Sequence, residues 1–246
     1  MTRYDFGAHR MFVEGPLSPG TSIACTPAQT NHLRNVLRLN VGDQLLVFNG
    51  RDGEWRAEIA GGGKRSVELG VREHIRAQEA GPDVDYLFAP LKRARLDYLV
   101  EKATEMGAAR IRPIITRRTT PERVNIERMR ANVIGAAEQC GILRVPEVHE
   151  PERLERVLAG WDPSRALVFC DEDADVVDPI SALAPLRSKP IAVMVGPEGG
   201  FDPAERDLLL QLPQVVRISL GPRILRADTA AVAALALVNA VAGDWR

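Results

Sequence analysis

The stretch that decides the fold runs from residue 191 to residue 211 and reads IAVMVGPEGGFDPAERDLLLQ. Its first five residues form a continuous apolar run, which is typical of a strand buried on both faces. After a glycine-containing turn, Asp202, Pro203 and Glu205 form a helix start, with Asp202 as the cap and Glu205 completing a capping box. A strand that passes through a turn into a helix is one unit of a parallel sheet covered by helices.

The same alternation of strand and helix continues on both sides of this unit. Strands are predicted at 84–90, 110–116, near 145–149, and at 165–171, 190–195 and 214–220, with helices at 94–106, 123–140, 151–159, 178–186, 203–211 and 227–242. This order predicts an α/β domain with a parallel sheet and helices on both faces. The alanine-rich last helix is expected to pack closely against its neighbours, because small side chains permit a close approach.

The first eighty residues follow a different pattern, with short strands around one helix. Strands are predicted at 9–13, 44–49, 54–59 and 66–74, and the helix begins at a capping box of Thr26 and Gln29. These elements predict a small β-barrel or curled sheet. A polar, turn-forming stretch at 77–83 indicates the boundary, so we expect domains at 1–78 and 79–246.

Composition and charge exclude several classes of protein. With 45% apolar and 26% charged residues, the chain is expected to fold rather than to be disordered. The net charge is only −1, but residues 81–130 hold 11 basic and 7 acidic groups. Of the 32 basic residues 28 are arginine, which suits bidentate phosphate contacts, although a general bias toward arginine would give the same count.

The chain lacks the sequence patterns of secreted, membrane-spanning or metal-binding proteins. The first ten residues carry no apolar signal-peptide core, and the longest apolar run, 230–242, is too short to span a bilayer. Three cysteines and four histidines show no metal-ligand or disulfide spacing. We therefore expect a soluble cytoplasmic protein with no structural metal and no disulfide.

Two strand-to-helix junctions carry the candidate chemistry. The first is GPEGGF at 196–201 and the second is LGPRILRADTA at 220–230. Glycines at the carboxyl end of a parallel strand let a ligand approach the backbone closely. Neither junction is a GxGxxG or a P-loop sequence, so dinucleotides and ATP are disfavoured as ligands. Two structural alternatives stay open: the first junction is only a tight connection, and Asp228 or Thr229 only caps the last helix.

The two junctions together resemble the C-terminal signature of the SPOUT superfamily of knotted methyltransferases. More closely, the chain is similar to the RsmE family of 16S ribosomal RNA uridine-N3 methyltransferases. Supporting matches are HLRNVLRL at 32–39, EKATEMGAARIRPI at 101–114 and AAEQCG at 136–141. The chain departs from the family by having Asp228 where a glutamate is usual, and Ile142 where an arginine or a small polar residue is usual.

The resemblance implies an N-terminal PUA-like β-barrel and a C-terminal domain with a trefoil knot. It also implies a homodimer that binds S-adenosylmethionine at the knot loops and methylates 16S rRNA, free or in the small ribosomal subunit. The residues expected to bind the donor are Gly196, Glu198, Gly199, Gly200, Leu220, Gly221, Leu225, Arg226 and Thr229. We expect Arg226 to stabilise the uracil anion, with Glu198 or Asp228 accepting the proton or holding Arg226. An ion pair of Arg226 with Asp228 that only orders the loop is the alternative.

Basic side chains on both predicted domains are the candidate RNA contacts. They are Arg10, Arg34 and Arg38 in the first domain, and Lys92, Arg93, Arg95, Arg117 and Arg118 in the second. Such contacts would give a salt-dependent affinity with little sequence information. Other functions stay open: a SPOUT methyltransferase acting on a ribose hydroxyl or another base, or a ribosome-assembly factor without catalysis. A nucleotide-dependent oxidoreductase is strongly disfavoured.

Overall fold

The computed structural model describes residues 7–62, 66–120, 123–174 and 178–245. The chain divides into two compact units. Unit 1 comprises Met1–Ala80 and Ala137–Val145, and unit 2 comprises Gly81–Ala136 and Pro146–Arg246. Each unit is built around its own sheet.

Unit 1 is a curled five-stranded sheet with one short helix. Its elements are β1 (Arg10–Phe12), β2 (Ser22–Ala24), α1 (Pro27–Asn31), β3 (Gln44–Phe48), β4 (Glu54–Gly61) and β5 (Glu68–Arg76). The strand order is β1-β3-β4-β5-β2, and only β1 and β3 pair in parallel. Register shifts between β4 and β5 bend the sheet, as β-bulges do. The predicted curled sheet is confirmed, although the sequence patterns missed β2.

The helix of unit 1 begins as expected and then changes its pitch. Thr26 and Gln29 form the predicted capping box. After Asn31 the chain continues as a π turn over His32–Val36, in which the Leu37 N–H donates to the His32 carbonyl. This wider turn rotates the side chains relative to an α-helix. Val36, in this turn, is 61% exposed.

The segment 137–145 belongs to unit 1, although the sequence patterns placed it in the second domain. Its side chains and carbonyls make contacts that are distant along the chain. The Phe12 N–H donates to Glu138 Oε1 over 2.8 Å, and Arg76 Nη2 donates to the Gly141 carbonyl over 2.9 Å. Phe48, Ala137 and Leu143 form a small apolar cluster. Contacts of this kind leave no local sequence signal.

Unit 2 contains a seven-stranded parallel sheet with helices between the strands. Its strands are β6 (Val84–Phe88), β7 (Arg110–Ile115), β8 (Glu147–Val148), β9 (Glu152–Arg153), β10 (Ala166–Cys170), β11 (Ile191–Val195) and β12 (Val215–Ile218). Its helices are α2 (Arg93–Glu105), α3 (Ile126–Cys140, whose last turn lies in unit 1), α4 (Leu154–Ala159), α5 (Pro179–Leu183), α6 (Pro203–Gln211) and α7 (Ala227–Val241). The order is β12-β10-β11-β6-β7-β8, with β9 beside β7. The predicted parallel α/β domain is confirmed.

Both faces of this sheet are buried, as the continuous apolar strands predict. On one face Leu87, Phe169 and Met194 pack with residues of α4 and α6. On the other face Tyr86 and Phe88 stack with a ring-centroid distance of 5.3 Å. Helix α7 presents alanines to the protein interior, which permits the expected close packing. No helix within the described ranges combines the length and the apolar character that a membrane crossing needs.

Candidate active site

The carboxyl ends of β10, β11 and β12 lie side by side, because the three strands are parallel neighbours. The segments that follow these strands enclose a cavity of about 1100 Å³. Its walls are formed mainly by residues 169–173, 195–198, 200–201 and 218–227. This is the edge of a parallel sheet at which ligands usually bind.

The first wall is residues 196–202, which we name the glycine loop. A Cβ atom on Gly196 would lie 2.5 Å from the Phe201 ring, which itself packs edge-on against Phe169. Gly200 has φ +69°, and its N–H donates to the Pro197 carbonyl over 2.9 Å. The predicted helix start is confirmed, since Asp202 and Glu205 form a capping box at α6. The loop is thus a tightly packed turn rather than an open one.

Three arginines from elsewhere in unit 2 hold the glycine loop. Arg95, on α2, pairs with Glu198. Arg117 Nη1 lies 2.8 Å from Asp202 Oδ1, and Arg118 Nη1 donates to the Gly199 carbonyl over 2.8 Å. These three side chains were predicted to contact RNA, which stays a prediction. The structure brings all three to the loop that was predicted to bind the methyl donor.

The second wall is residues 219–226, which we name the arginine loop. Ile224 is 93% exposed, and Arg223 and Arg226 are also exposed. Neither arginine forms an ion pair with another described residue, so the expected alternative of an Arg226–Asp228 pair is not formed. The arginine loop is therefore exposed to solvent, whereas the glycine loop is held by ion pairs and hydrogen bonds.

The start of α7 differs from the alternative in which Asp228 or Thr229 caps it. The cap residue is Arg226, with extended backbone angles and no side-chain capping bond, and the helix begins at Ala227. Asp228 therefore lies in the first turn, where its Oδ1 accepts from the Thr229 N–H over 2.9 Å. A carboxylate in the first turn is favoured by the helix dipole.

The third wall of the cavity is residues 169–173 at the end of β10, and a buried carboxylate joins it to the other two walls. Asp171 is 4% exposed and accepts hydrogen bonds from Arg206 Nη2 over 3.0 Å and from Arg217 Nε over 2.8 Å. Burial alone would raise the pKa of Asp171, but the hydrogen bonds from Arg206, the Asp173 N–H and Arg217 outweigh burial and lower it. Arg206 lies on α6, which follows the glycine loop, and Arg217 lies on β12, which precedes the arginine loop.

The sequence patterns missed this carboxylate. Asp171, Glu172 and Arg206 all line the cavity, yet none was predicted as a site residue. The sequence did contain a signal. Three acidic residues, at 171–173, follow the predicted strand β10, and the candidate site residues follow two other predicted strands. The rule that ligands bind at the carboxyl edge of parallel strands applies equally to this third end.

A buried tyrosine lies beneath the start of α7. Tyr86 is fully buried, and its hydroxyl has no hydrogen-bond partner among the described residues. Burial, followed by the nearby Cys170 and Asp228, raises the pKa of Tyr86 well above its usual value. Burial likewise raises the pKa of Cys170 to about 12, so this thiol is not a nucleophile at neutral pH.

Not all of the predicted donor-binding residues reach the cavity. Those that line it are Gly196, Glu198, Gly200, Leu220, Gly221, Leu225 and Arg226. Gly199 and Thr229 lie next to lining residues without lining it themselves, and so does Asp228, which was predicted as a catalytic residue. The structure therefore gathers most of the predicted set around one space, with Arg226 on its exposed side.

The remaining RNA candidates fall into two groups. Lys92 and Arg93 at the start of α2 are exposed and have no ion-pair partner within the described part of the chain. In unit 1, Arg38 is exposed and Arg34 donates to the Leu39 carbonyl over 2.8 Å.

Arg10 has a different environment from the other candidates. Its side chain is 3% exposed and lies 2.9 Å from the buried Glu54, which also binds Arg76. A phosphate cannot reach a buried guanidinium that is already paired with a carboxylate. Arg10 therefore lies in the interior of unit 1, where this structure gives no physical basis for a contact with RNA.

Comparison with known proteins agrees with this geometry. Residues 78–239 match the model of an RNA methyltransferase domain, and residues 26–72 match that of an RNA methyltransferase PUA domain. A ribosomal RNA small subunit methyltransferase E from Rickettsia conorii is 32% identical, over 94% of this chain and 95% of that protein.

Two solved structures share the architecture. A putative methyltransferase from Legionella pneumophila, in complex with S-adenosylmethionine, has a TM-score of 0.85 at 28% identity, covering 96% of this chain and 99% of that one. A ribosomal RNA small subunit methyltransferase E from Neisseria gonorrhoeae has a TM-score of 0.83 at 24% identity, covering 97% of this chain and 100% of that one, and shows the same fold. By its matching domains and its similarity along nearly the whole length, this chain belongs to the ribosomal RNA small subunit methyltransferase E family of RNA methyltransferases.

Proposed function

We propose that this chain transfers a methyl group from S-adenosylmethionine to N3 of a uridine in 16S ribosomal RNA. The observation that carries the proposal is the cavity at the ends of β10, β11 and β12, with the held glycine loop on one side and the exposed Arg226 on the other. Family membership supports the reaction class. The Legionella neighbour, solved with S-adenosylmethionine, supports the donor.

The cavity fits a nucleoside-sized donor. Its volume of about 1100 Å³ is close to the upper end of the usual range for ligand sites, roughly 300–1,000 Å³. When bound, S-adenosylmethionine supplies an electrophilic methyl group on a positively charged sulfur. Glu172 Oε1 lies 3.0 Å from the position that a Cβ on Gly200 would take, so it faces the glycine loop. We assign Glu172 to the ammonium or hydroxyl groups of the donor.

N3 of uracil is a poor nucleophile at neutral pH, because it carries a proton. Arg226 has no ion-pair partner among the described residues and lies at the cavity edge, so its guanidinium is available to donate to a uracil carbonyl. This contact would stabilise the negative charge that develops when the proton leaves. Arg226 is therefore our candidate catalytic residue.

The hydrogen-bond and ion-pair partners of Glu198 and Asp228 indicate which of the two carboxylates accepts the proton. Glu198 is engaged by Arg95, so we give it the role of holding the glycine loop. Asp228 is half-buried in the first turn of α7, and within the described residues only its Oδ1 is engaged, by the Thr229 N–H. We therefore propose Asp228 as the group that accepts the proton from N3.

The assembly and the location of the enzyme are also proposals. We propose a homodimer, because the resemblance to the knotted methyltransferases implies one. A trefoil knot in unit 2 stays a prediction from the family resemblance. We propose the cytoplasm as the enzyme's location, because its proposed substrate is ribosomal RNA. Light scattering of the purified protein will give its mass in solution.

Mapping of the product tests the proposed reaction. The purified protein is incubated with labelled S-adenosylmethionine and with either 16S rRNA or small ribosomal subunits that lack the modification. Digestion to nucleosides and mass analysis should find the label in 3-methyluridine. Label on a ribose or on another base would contradict the proposal, and absence of label with both substrates would indicate a non-catalytic factor. Comparing the two substrates shows whether the assembled subunit is required.

A further inference from the structure

Of the arginines that hold the glycine loop, Arg117 and Arg118 are exposed, and Arg95 is partly exposed. We propose that Arg118, supported by Arg95, binds an RNA phosphate and the glycine loop at the same time, and so couples RNA binding to donor binding. This inference rests on the proposed function. Arg118 donates to the Gly199 carbonyl over 2.8 Å, and Arg95 pairs with Glu198, the residue before Gly199.

The geometry leaves room for a second partner on Arg118. A guanidinium carries five N–H donors in a planar fork. Within the described residues, the Arg118 side chain uses one nitrogen, for the Gly199 carbonyl, and the residue is exposed. The nitrogens that do not bind the loop are therefore accessible to a phosphate, for which the fork is well suited.

Arg95 has a similar environment, with a partner that solvent can reach. The side chains of Arg95 and Glu198 are 40% and 49% exposed. Exposed ion pairs are weak because water and salt screen them. A phosphate can thus bind Arg95 without first breaking a strong buried contact, and the same residue lines the donor cavity.

The sign of the coupling follows from the order that each ligand imposes. A phosphate on Arg118 restricts that side chain while the bond to Gly199 is kept, so the glycine loop is held more firmly. A donor that binds to an already ordered loop loses less conformational entropy, which gives positive cooperativity. Coupling is reciprocal, so the donor must raise the affinity for RNA by the same factor.

Lys92 and Arg93 provide the contrast within the same basic region. Both are exposed at the start of α2, and within the described ranges neither makes a side-chain bond to the glycine loop. A phosphate bound there adds affinity, yet it has no side-chain connection to the donor wall. These two residues are therefore the matched control for Arg118.

Filter binding of a labelled 16S rRNA transcript to the full-length protein tests the coupling. Each Kd is measured with and without saturating S-adenosylhomocysteine, which cannot donate a methyl group. For wild type we expect the nucleoside to tighten RNA binding at least about fivefold. For Arg118→Gln the ratio of the two Kd values should fall to near one. Arg118→Lys should keep much of the RNA affinity and lose most of the ratio, because an ammonium lacks the planar fork.

The controls separate coupling from simple loss of charge. Lys92→Gln with Arg93→Gln should weaken RNA binding and its salt dependence but keep the wild-type ratio. Arg153→Gln, an exposed arginine at the start of α4, should change neither. Calorimetry of S-adenosylhomocysteine without RNA checks that each variant retains a donor site.

The outcomes distinguish this inference from the function on which it rests. If wild type binds the nucleoside but the ratio is one, or if Arg118→Gln keeps the ratio, the coupling is wrong while the proposed function stands. A lost ratio in the Lys92 and Arg93 double variant would also overturn the coupling, because the signal would follow charge alone. If wild type does not bind the nucleoside at all, both proposals fail.

Discussion

The glycine loop and the arginine loop follow β11 and β12, the two strands that flank β10 in one sheet, yet the two loops are held in opposite ways. Residues 196–202 are fixed by Phe201 packing, by a capping box and by three arginines. Residues 219–226 expose Ile224 and two arginines that have no ion-pair partner among the described residues. The difference indicates that one wall of the cavity is held by contacts within the chain, whereas the charged side chains of the other wall are available to a ligand.

The largest effect is expected where both loops share one anchor. Replacement of Asp171 by alanine leaves Arg206 and Arg217 without their buried carboxylate partner. Removing one member of a buried ionic network costs about 3–5 kcal/mol. We expect about 3 kcal/mol, since the two arginine side chains are 28% and 30% exposed and water reaches them. Urea unfolding followed by circular dichroism measures the change.

Asp173→Ala is the matched control for this variant. Its carboxylate is 3.9 Å from Arg206 and is 73% exposed, so the free energy of unfolding should stay within about 0.5 kcal/mol of wild type. Equal losses for the two variants would show that Asp171 is not a shared anchor, and the two loops would then have to be treated as independent.

Next in size is a loss of turnover from the arginine loop. Arg226→Ala should lower kcat about 100-fold, because loss of one preorganised donor to a developing anion typically costs 10²–10³ in rate. Its melting temperature should match that of wild type, since the side chain is exposed and unpaired among the described residues. Single-turnover methylation and thermal unfolding measure the two quantities. Near-normal turnover would remove Arg226 from catalysis.

A smaller effect, on donor affinity, is expected from a substitution in the glycine loop. A Cβ on Gly196 would be 2.5 Å from the Phe201 ring, so the ring or the loop must move, at a cost of about 1–3 kcal/mol. We expect Gly196→Ala to weaken S-adenosylhomocysteine binding about tenfold. On Gly199 the nearest contact of a Cβ would be Arg118 Cδ at 3.8 Å, an ordinary distance. Calorimetry should therefore find Gly199→Ala close to wild type, and equal losses would contradict the packing argument.

The smallest expected effect is a gain in stability behind the arginine loop. Tyr86→Phe removes a buried hydroxyl that has no partner among the described residues and keeps the stack on Phe88. Relief of an unsatisfied buried group is worth about 1 kcal/mol, which corresponds to a rise in melting temperature of about 2–4 °C. Tyr98→Phe, at an exposed position, should change little. A lower melting temperature for Tyr86→Phe would mean that the hydroxyl is satisfied.

The elements that the sequence predicted well are those with strong local signals. The capping boxes at Thr26 and Asp202 and the strand that precedes Gly196 are properties of a few adjacent residues. Short strands such as β2 and β9 and the π turn at 32–36 were missed, because two or three residues or one wide turn give little periodicity. The start of α7 was misread, since Asp228 has the chemistry of a cap but lies inside the first turn.

The residues of the candidate site also divide into those with a local sequence signal and those without one. Gly196, Leu220 and Arg226 were found because they lie in two recognisable motifs at strand ends. Asp171 was missed because its partners Arg206 and Arg217 are 35 and 46 residues away along the chain. Arg118 was recognised as basic, but its partner at Gly199 is 81 residues distant, so its attachment to the loop left no trace in the local sequence.

By itself, the sequence determined the fold class, the order of most strands and helices and the two motifs that form the cavity, because hydrophobic periodicity and capping are local properties. The tertiary structure decided which charged side chains are free. Burial and distance turned Arg10 into an interior ion-pair partner and Arg118 into a support of the glycine loop, and left Arg226 exposed. A charge has the same letter in the sequence wherever it lies, whereas its chemistry depends on the partners that folding brings within hydrogen-bond reach.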